Sequence, residues 1–563
     1  MKWLPVRPCG GAGFVVLAVA AGIAAGCEGR TGESRPGPAA VAPAPAGDGA
    51  FAVLGAETGL AFVHDTGDGR LDNVIEAVGS GGAILDFDGD GRMDVYFVNM
   101  AWREGVSRGP RPERRAGNRL FRNLGGLRFE DVTERSGTGG GGFGVAAVAA
   151  DCDGDGRTDL YVVQAGPNLL YRNLGGGRFE DVTARAGVGD GRNGSGAVFF
   201  DADGDGWLDL YVANYLAYDP NYVLHFAPDG FPGPLSYEPE ADVLYRNRGD
   251  GTFEDVSATS GIAALAGRGM GVTAFDADED GDTDLFVAND ASPNFLLIND
   301  GRGRFRDVAL ESGVAYGTQG EATAAMAGIL GDFDGDGRAD LLVTDAAYGS
   351  LLRGLGGGRF EDVVFTSGAA APVAQSPSWG AAWLDLENDG DRDLFIVSGD
   401  LHHPVGRADV LLENLGEGRF RDAAAKGGPW FGRSHNGRAC LAADFDDDGD
   451  VDVLVTHLGE PAVLLRNETN SGNAWLTVAL RGAAPNTDAA GAVVTVVAGG
   501  RSQRSWCGAA STYLGAGDPR LHFGLGAATT VERVEVRWAS GVILELRDVT
   551  PGRTLVIREG AIR

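Results

Sequence analysis

The sequence predicts an all-β protein, a seven-bladed β-propeller with calcium loops followed by a small β-sandwich-like domain. One acidic nonapeptide returns seven times along the 563 residues, and its starts are 50 to 75 residues apart. A second signature, of the form LLYRNLGGGRFEDVT, recurs between the copies. Glycine, with 92 residues, has more than twice its usual share, which favours turn-rich β-structure. Four short strands per repeat of about 60 residues are typical of propeller blades and not of helical solenoids.

The N-terminal segment is predicted to be an export signal and not part of the fold. Lys2 and Arg7 precede a short apolar stretch, residues 14–25, and small residues then lead to Cys27. This order is typical of export signals, and about twelve apolar residues are too few to span a bilayer. Because the residues before Cys27 resemble a bacterial lipobox, we expect residues 1–27 to end in a cysteine that carries lipid. Secretion without a lipid is the alternative.

The rest of the chain divides into three parts. Residues 28–50 are rich in proline, alanine and glycine, which predicts a semi-extended tether. Residues 51–470 carry the repeats and form the predicted propeller. Residues 471–563 alternate apolar and polar positions in several short runs separated by Gly, Asn and Pro, which predicts a small β-domain.

Each repeat predicts the same four strands. A run of small apolar residues such as GVAAVAAD leads into the acidic loop, and a branched or aromatic run such as DLYVVQ leaves it. The segments LLYRN and FEDV supply the other two strands. Small side chains on the strand before the loop fit the innermost position of a blade, because seven sheets converge there on one axis.

The nonapeptides have the composition of calcium loops. Carboxylates stand at positions 1, 3, 5 and 9, and glycine at position 6 allows the sharp turn that brings them together. With the backbone carbonyl of position 7, these oxygens suit Ca²⁺, which takes six to eight hard ligands, better than Mg²⁺, which keeps its waters. The sequence therefore predicts up to seven calcium ions. Glu387 replaces aspartate at position 3 of the sixth loop.

The predicted ligands are the residues at positions 1, 3, 5, 7 and 9 of each loop. In chain order they are Asp86, Asp88, Asp90, Arg92 and Asp94; Asp151, Asp153, Asp155, Arg157 and Asp159; Asp201, Asp203, Asp205, Trp207 and Asp209; Asp276, Asp278, Asp280, Asp282 and Asp284; Asp332, Asp334, Asp336, Arg338 and Asp340; Asp385, Glu387, Asp389, Asp391 and Asp393; and Asp444, Asp446, Asp448, Asp450 and Asp452.

The net charge of −32 comes almost entirely from these loops. They hold 33 of the 79 acidic residues, and the 46 acids outside them nearly balance the 43 basic residues there. Carboxylates crowded in this way repel one another unless a cation joins them. The acidic balance also excludes nucleic acid as a partner, because a phosphate backbone needs a basic face.

The repeat resembles the FG-GAP/VCBS repeat of integrin-α-like propellers and of many exported bacterial proteins. The segments NAWLTVALRG, LHFGLG and VERVEVRWASG, at 473–482, 521–526 and 531–541, resemble the ASPIC/UnbV domain of the cartilage-acidic-protein family. The resemblance implies a seven-bladed propeller with a ring of calcium loops and an appended β-domain. It implies binding or adhesion, and no established reaction comes with these motifs.

Catalytic signatures are scarce. G-x-S-x-G, P-loop and HExxH motifs are absent from the sequence, and its seven histidines are scattered. The pair His402 and His403 is read as two loop residues on a polar face, with a ligand role as the alternative. Cys152, Cys440 and Cys507 are an odd number without metal-ligand spacing, so they do not predict a disulfide framework.

An irregular segment interrupts the third blade at residues 214–242 and inserts some 25 residues. Long aromatic loops on rigid scaffolds are often binding surfaces. The alternative is that the aromatic rings hold the loop onto the propeller. The candidate binding residues are Tyr215, Tyr218, Tyr222, Phe226, Phe231 and Tyr237.

The sequence therefore predicts an exported, lipid-anchored, calcium-binding propeller that binds a protein or glycan, or mediates adhesion, at the cell envelope. We expect an outer-membrane or cell-surface lipoprotein, or else a secreted or periplasmic protein. One alternative is an enzyme, a lyase or hydrolase, with its site in the propeller channel or under the blade-three loop. Polar channel residues would favour the enzyme, and an Ala/Gly-lined channel would not. Another alternative is a subunit of an envelope complex that docks through the C-terminal domain.

Overall fold

The strands form seven antiparallel four-stranded blades and a C-terminal two-sheet domain, and a C-terminal hairpin extends the sheet of the first blade to six strands. The structure is a computed structural model, and it describes residues 49–113, 116–222, 231–401, 406–508 and 511–560. The predicted export signal, Cys27, Phe226 and the pair His402 and His403 lie outside these ranges, as does most of the predicted tether.

The blades follow one another along the chain, each with its strands in sequence order. Blade 1 consists of Gly82–Leu85, Asp94–Phe97, Arg119–Asn123 and Phe129–Asp131. Blade 2 consists of Gly144–Ala150, Asp159–Gln164, Leu169–Gly175 and Arg178–Asp181. Blade 3 consists of Gly194–Phe200, Asp209–Asn214, Val243–Asn247 and Phe253–Asp255. Blade 4 consists of Gly269–Phe275, Asp284–Asn289, Phe295–Asn299 and Phe305–Asp307.

The last three blades continue this order, and the seventh takes its outer strand from the N-terminal side. Blade 5 consists of Ala325–Gly331, Asp340–Asp345, Ser350–Gly356 and Arg359–Asp362. Blade 6 consists of Ser378–Leu384, Asp393–Ser398, Val410–Asn414 and Phe420–Asp422. Blade 7 consists of Gly437–Ala443, Asp452–His457, Val463–Asn467 and the N-terminal strand Phe51–Leu54. In blade 7, Phe51 pairs with Asn467, so both ends of the repeat region share one sheet.

Short helices and one small parallel pair complete the repeat region. The one-turn α-helices are Val74–Ala77, Thr133–Ser136, Thr183–Ala186, Ser257–Ser260, Ala309–Ser312, Ala370–Val373 and Ala424–Gly427. The 3₁₀ turns are Ala56–Thr58, Pro234–Ser236, Ile262–Ala264 and Pro429–Gly432. The strands Thr66–Gly67 and Met100–Ala101 pair in parallel.

The first strands of the blades form a ring around a central channel. Each packs against the first strand of the next blade, and that of blade 7 packs against that of blade 1. Small residues are required there because the backbones approach closely. A Cβ on Gly196 would lie 2.3 Å from the Met270 carbonyl oxygen, and one on Gly380 would lie 2.5 Å from the Cys440 nitrogen. The predicted seven-bladed propeller is confirmed.

The C-terminal domain is a β-sandwich-like pair of sheets. One sheet contains Leu521–Gly526, Ala474–Arg481 and Arg553–Arg558, and the other contains Arg501–Trp506, Val493–Ala498, Val531–Arg537 and Ile543–Val549. Alternate residues of the second sheet, including Val494, Val496 and Val534, are buried in the core between the two sheets. Arg504 and Trp506 stand on its other face, as the strand period of two requires.

A hairpin of the C-terminal domain fills one end of the channel. Its strands, Ser511–Thr512 and Gly515–Ala516, contact the first strands of six of the seven blades, and Gly515 pairs in parallel with Gly82. Between them, Tyr513 is fully buried. Its ring lies 5.2 Å from that of Trp379, and its hydroxyl donates to the Val78 carbonyl oxygen at 3.2 Å. The apolar residues of the helix Val74–Ala77 are buried in the same core as Tyr513.

A buried arginine also lies in this channel. Arg438 is inaccessible to solvent, and its guanidinium stacks 3.8 Å from the centroid of the Trp379 ring. It donates to the carbonyl oxygens of Ala77, Gly437 and Asp400. Burial lowers the pKa of Arg438 to about 10. Carbonyl oxygens and an aromatic face therefore stabilise a cation in the interior of the propeller.

The three cysteines in the described part of the chain, Cys152, Cys440 and Cys507, are buried free thiols. Among the described residues there is also no helix long and apolar enough to cross a lipid bilayer.

Candidate metal sites

Each acidic nonapeptide forms the turn between the first and second strands of its blade. Position 1 directly follows the first strand, and position 9 is the first residue of the second, as Asp86 and Asp94 illustrate in blade 1. The turn folds around the first carboxylate. Asp86 accepts from the N–H groups of Gly89, Asp90 and Gly91 at 2.9 to 3.0 Å. The bond from the glycine at position 6 to the carboxylate at position 1 occurs in all seven loops.

The fifth-position carboxylate closes the second half of the turn. In every loop it accepts from the N–H of position 7, for example from Trp207 to Asp205 at 2.9 Å. The seventh residue, predicted as a ligand through its carbonyl, therefore also holds the fifth-position carboxylate through its N–H.

The ninth-position carboxylate ties three segments of each blade together. Asp209 is 1% exposed and accepts from the N–H of Ala202, at position 2, at 2.9 Å. It also accepts from the N–H of Asn247, at the end of the third strand, at 2.7 Å. The same two bonds are made in all seven blades. The ninth carboxylate therefore joins backbone segments of the blade by hydrogen bonds, in addition to lying among the loop carboxylates.

The third-position carboxylate is different, because one of its oxygens is buried without a hydrogen-bond partner in six loops. The six residues with this orphaned oxygen are Asp88, Asp153, Asp203, Asp278, Glu387 and Asp446. In several blades the carboxylate is otherwise held by an arginine of the third strand, as in the 2.6 Å contact between Arg122 and Asp88. In the sixth loop Lys426 pairs with Glu387 instead. A buried acceptor oxygen without a donor is costly, which favours a cation at this point.

The loop carboxylates lie close enough together to share one ion. Carboxylate oxygens of positions 1, 3 and 9 lie within 4.8 Å of one another in the first four loops, as do those of positions 1, 3 and 5 in the fifth. Burial, together with the charge of the neighbouring carboxylates, raises the pKa of the ninth-position carboxyl to about 8 in Asp94, Asp209, Asp284, Asp340 and Asp393. Charging these groups together is unfavourable without a cation. The donor set, all hard oxygens, therefore fits a divalent metal ion.

An asparagine that the sequence interpretation did not assign joins the loop to the preceding blade in six of the seven blades. The Asn173 side chain donates to the carbonyl oxygens of Thr158, in its own loop, and Phe87, in the loop of blade 1, at 3.0 and 2.8 Å. Equivalent inter-blade bonds are made by Asn123, Asn247, Asn299, Asn414 and Asn467. The recurrence of RN in the second signature was the available signal. Blade 5 has Gly354 at this position.

Comparison with known families agrees with this architecture. The FG-GAP-like repeat model matches residues 86–162, 151–212, 229–287, 276–343, 332–396 and 385–455, which together make up more than half of the chain. The chain belongs to the FG-GAP-like repeat family. The ASPIC and UnbV family model matches residues 482–563, so both predicted resemblances are confirmed.

Among curated proteins, this FG-GAP chain is similar to Cartilage acidic protein 1. It is 28% identical to the Homo sapiens protein over 373 residues, which is 60% of this chain and 50% of the relative. It is 28% identical to the Mus musculus protein over 365 residues, with 58% and 50% covered. The chain thus spans about half the length of these relatives. The solved structure of YCF48 bound to D1 peptide is similar with a TM-score of 0.38 at 8% identity, covering 69% of this chain and 91% of that one.

The aromatic insertion of blade 3 connects the second and third strands, so it lies at the opposite edge of the FG-GAP propeller from the acidic loops. Tyr215, Phe231 and Tyr237 are buried, and the Tyr215 hydroxyl donates to Asp290 at 2.5 Å. The Tyr237 ring lies 5.4 Å from that of Tyr218, which is half-buried. The Tyr222 side chain is the most open of the five described rings, with 43% exposure. The inner rings hold the loop in place and leave Tyr222 at its surface.

Three histidines of the FG-GAP propeller lie in the described ranges, His64 near blade 1 and His435 and His457 in and beside blade 7. His435 and His457 lie with ring centroids 5.1 Å apart, and His435 stacks on Trp430. His64 is buried, and its Nδ1 lies 3.2 Å from the Val98 carbonyl oxygen. Burial lowers the pKa of both His64 and His457 to about 4. His64 and His457 are therefore neutral interior groups at pH 7.

Because His64 is buried and neutral, we expect the free energy of unfolding to fall in acid. Below pH 6.5 the unfolded chain binds a proton that the folded chain does not, so stability falls as the pH drops from 6.5 towards 4. His64→Asn keeps the bond to Val98 but removes the titration. Between pH 7.5 and 5.0 the variant should lose less unfolding free energy than the wild type, by about 2 kcal/mol, in urea unfolding. The comparison cancels the titration of the acidic loops, and equal losses in the two proteins contradict the assignment.

Proposed function

We propose that this protein is an exported, lipid-anchored binding module whose propeller is stabilised by calcium in its seven acidic loops. The observation that carries the proposal is the repeated donor set, in which a buried third-position oxygen lacks a hydrogen-bond donor beside other loop carboxylates. When bound, calcium supplies positive charge to the third-position oxygen that the neighbouring arginine or lysine leaves without a hydrogen bond. The residues at positions 1, 3, 5 and 9 would hold it, with the carbonyl of position 7.

The binding face is assigned to the propeller edge that carries the blade-three loop. Buried rings fix that loop to the scaffold, and Tyr222 stands exposed on it. An exposed aromatic ring held beside buried rings loses little entropy on binding, which suits a protein or glycan partner. The channel gives less support to an enzyme, because the Tyr513 ring is packed inside it and the buried Arg438 guanidinium there is already bonded to carbonyl oxygens.

The experiment compares loop variants on isolated cell envelopes. The calcium-loaded protein is expected to bind them, and Tyr222→Ser should weaken that binding by about tenfold, as loss of an interface aromatic does. Tyr316→Ser, which changes a ring of similar exposure (39%) outside the loop, should leave it unchanged. Equal binding by all three proteins contradicts the assignment of the loop.

Cys27→Ala should move the protein from the membrane fraction to the soluble fraction, and an unchanged distribution contradicts the lipid anchor.

A further inference from the structure

The fifth blade leaves a cleft where the other blades place an asparagine. In those blades the asparagine side chain joins its own loop to that of the preceding blade, at the carbonyl oxygens of position 8 and position 2. Gly354 stands there in blade 5, and the two backbone segments it faces are Ala339 and Ala277. All three residues line a cavity of about 240 Å³ between the propeller and the C-terminal domain.

Arginines dominate the lining of this cleft in a strongly acidic protein. Arg338 and Arg359 come from blade 5, and Arg504 and Arg537 come from the facing sheet of the C-terminal domain. Two acidic residues, Asp276 and Glu279, also line it. Four guanidiniums against two carboxylates give the cleft a net positive charge, the opposite of the charge on the whole chain.

These guanidiniums are only partly paired. Arg338 contacts Asp336 at 2.6 Å, and Arg537 approaches Asp276 no closer than 3.8 Å. Arg359 makes no side-chain hydrogen bond or ion pair with any residue in the described ranges. Arg504 donates to the Gly337 carbonyl oxygen at 2.9 Å, while its Nε is buried without an acceptor.

The positive charges of Arg504 and Arg537 also repel each other. Burial and the neighbouring charge of Arg537 lower the pKa of Arg504. Two like charges brought together in a half-buried cleft are stabilised by an anion placed between them. The Trp506 ring lines the same cleft, and the Arg504 guanidinium carbon lies over it, 5.9 Å from the ring centroid.

We propose that this cleft binds an acidic sugar residue, a uronate or sulfated unit of an acidic glycan. The guanidiniums of Arg504 and Arg537 would bind the anionic group, since planar guanidinium donors match a carboxylate or sulfate. The Trp506 ring would stack on the apolar face of the sugar ring. This site lies on the acidic-loop face, away from the blade-three loop, and so goes beyond the proposed function.

The test is calorimetric titration of the full calcium-loaded protein with a uronate tetrasaccharide. Arg504→Gln and Arg537→Gln are each expected to weaken binding by at least about tenfold, because each removes a charge-assisted contact. Glu279→Gln should strengthen binding by a few-fold, since it removes a like charge from the rim. Arg185→Gln, an exposed arginine of blade 2, is the control and should leave affinity unchanged.

Three results overturn the proposal. One is the absence of binding, and another is binding that the two cleft variants leave unaltered or that Arg185→Gln weakens equally. The third is binding of inorganic sulfate, a neutral tetrasaccharide or a phosphoserine peptide at least as tight as that of the uronate, because sugar and anion would then not be recognised together. The Tyr222→Ser variant should bind the uronate normally, so failure of this site and failure of the loop assignment are distinguishable.

Discussion

Asp209→Asn is expected to destabilise the protein both with calcium and in a chelator. An amide nitrogen cannot accept a hydrogen bond, so the N–H of either Ala202 or Asn247 loses its acceptor in the interior. That loss costs about 1–3 kcal/mol without any metal. With free calcium at 100 times its dissociation constant, losing the site costs about 2.7 kcal/mol more. Urea unfolding in both conditions measures the two contributions.

Asp203→Asn in the same loop is the matched variant. One oxygen of Asp203 has no hydrogen-bond partner, and burial together with the charge of Asp205 raises the pKa of this carboxyl. Removing its charge should therefore leave stability in a chelator unchanged or slightly higher, while the calcium-dependent part is lost. Equal effects of the two variants in a chelator contradict the separation between a bracing ninth carboxylate and a metal-facing third one.

Tyr513→Ala is expected to lower the free energy of unfolding by about 3–5 kcal/mol, as large-to-small changes of buried aromatics do. The ring is fully buried in the channel against Trp379, and the hairpin that carries it contacts six blades. Removing the ring would leave a cavity at the point where the hairpin of the C-terminal domain enters the propeller. Limited proteolysis should therefore cut the segment between the strands Arg501–Trp506 and Leu521–Gly526 faster than in the wild type.

Tyr513→Phe provides the control for that experiment. It keeps the ring and loses only the bond to the Val78 carbonyl oxygen, so a cost of about 1 kcal/mol is expected. If Tyr513→Ala costs no more than Tyr513→Phe, or if the segment stays resistant to proteolysis, the hairpin does not hold the two domains together.

The repeat made most of the propeller predictable. Seven nonapeptides and their flanking strands repeat along the chain, and local constraints explain why their residues recur. The glycine at position 6 is needed for the turn, and small residues are needed where first strands meet, as at Gly196 and Met270. Each of these constraints acts within one blade or between neighbours. The acidic clusters were predictable for the same reason, because carboxylates at alternate positions of a tight turn converge whatever the distant chain does.

Long-range contacts were not predictable in this way. The insertion of Tyr513 into the channel joins residues more than 400 apart in sequence, as in its bond to Val78. No pattern near Tyr513 indicates its partner. The ninth carboxylate was interpreted as a ligand alone, whereas its bonds to two backbone segments depend on the third strand, as Asp209 and Asn247 show. The cleft at Gly354 arises where one residue differs from the repeat. A single deviation of this kind cannot be predicted from a periodic pattern.

Whether the acidic loops hold structural calcium is decided by the metal content of the purified protein together with its thermal melting with and without a chelator. We expect six or seven calcium ions per chain and a large fall in melting temperature on chelation. Substoichiometric calcium, or a melting temperature that the chelator leaves unchanged, would rule out structural calcium in the loops.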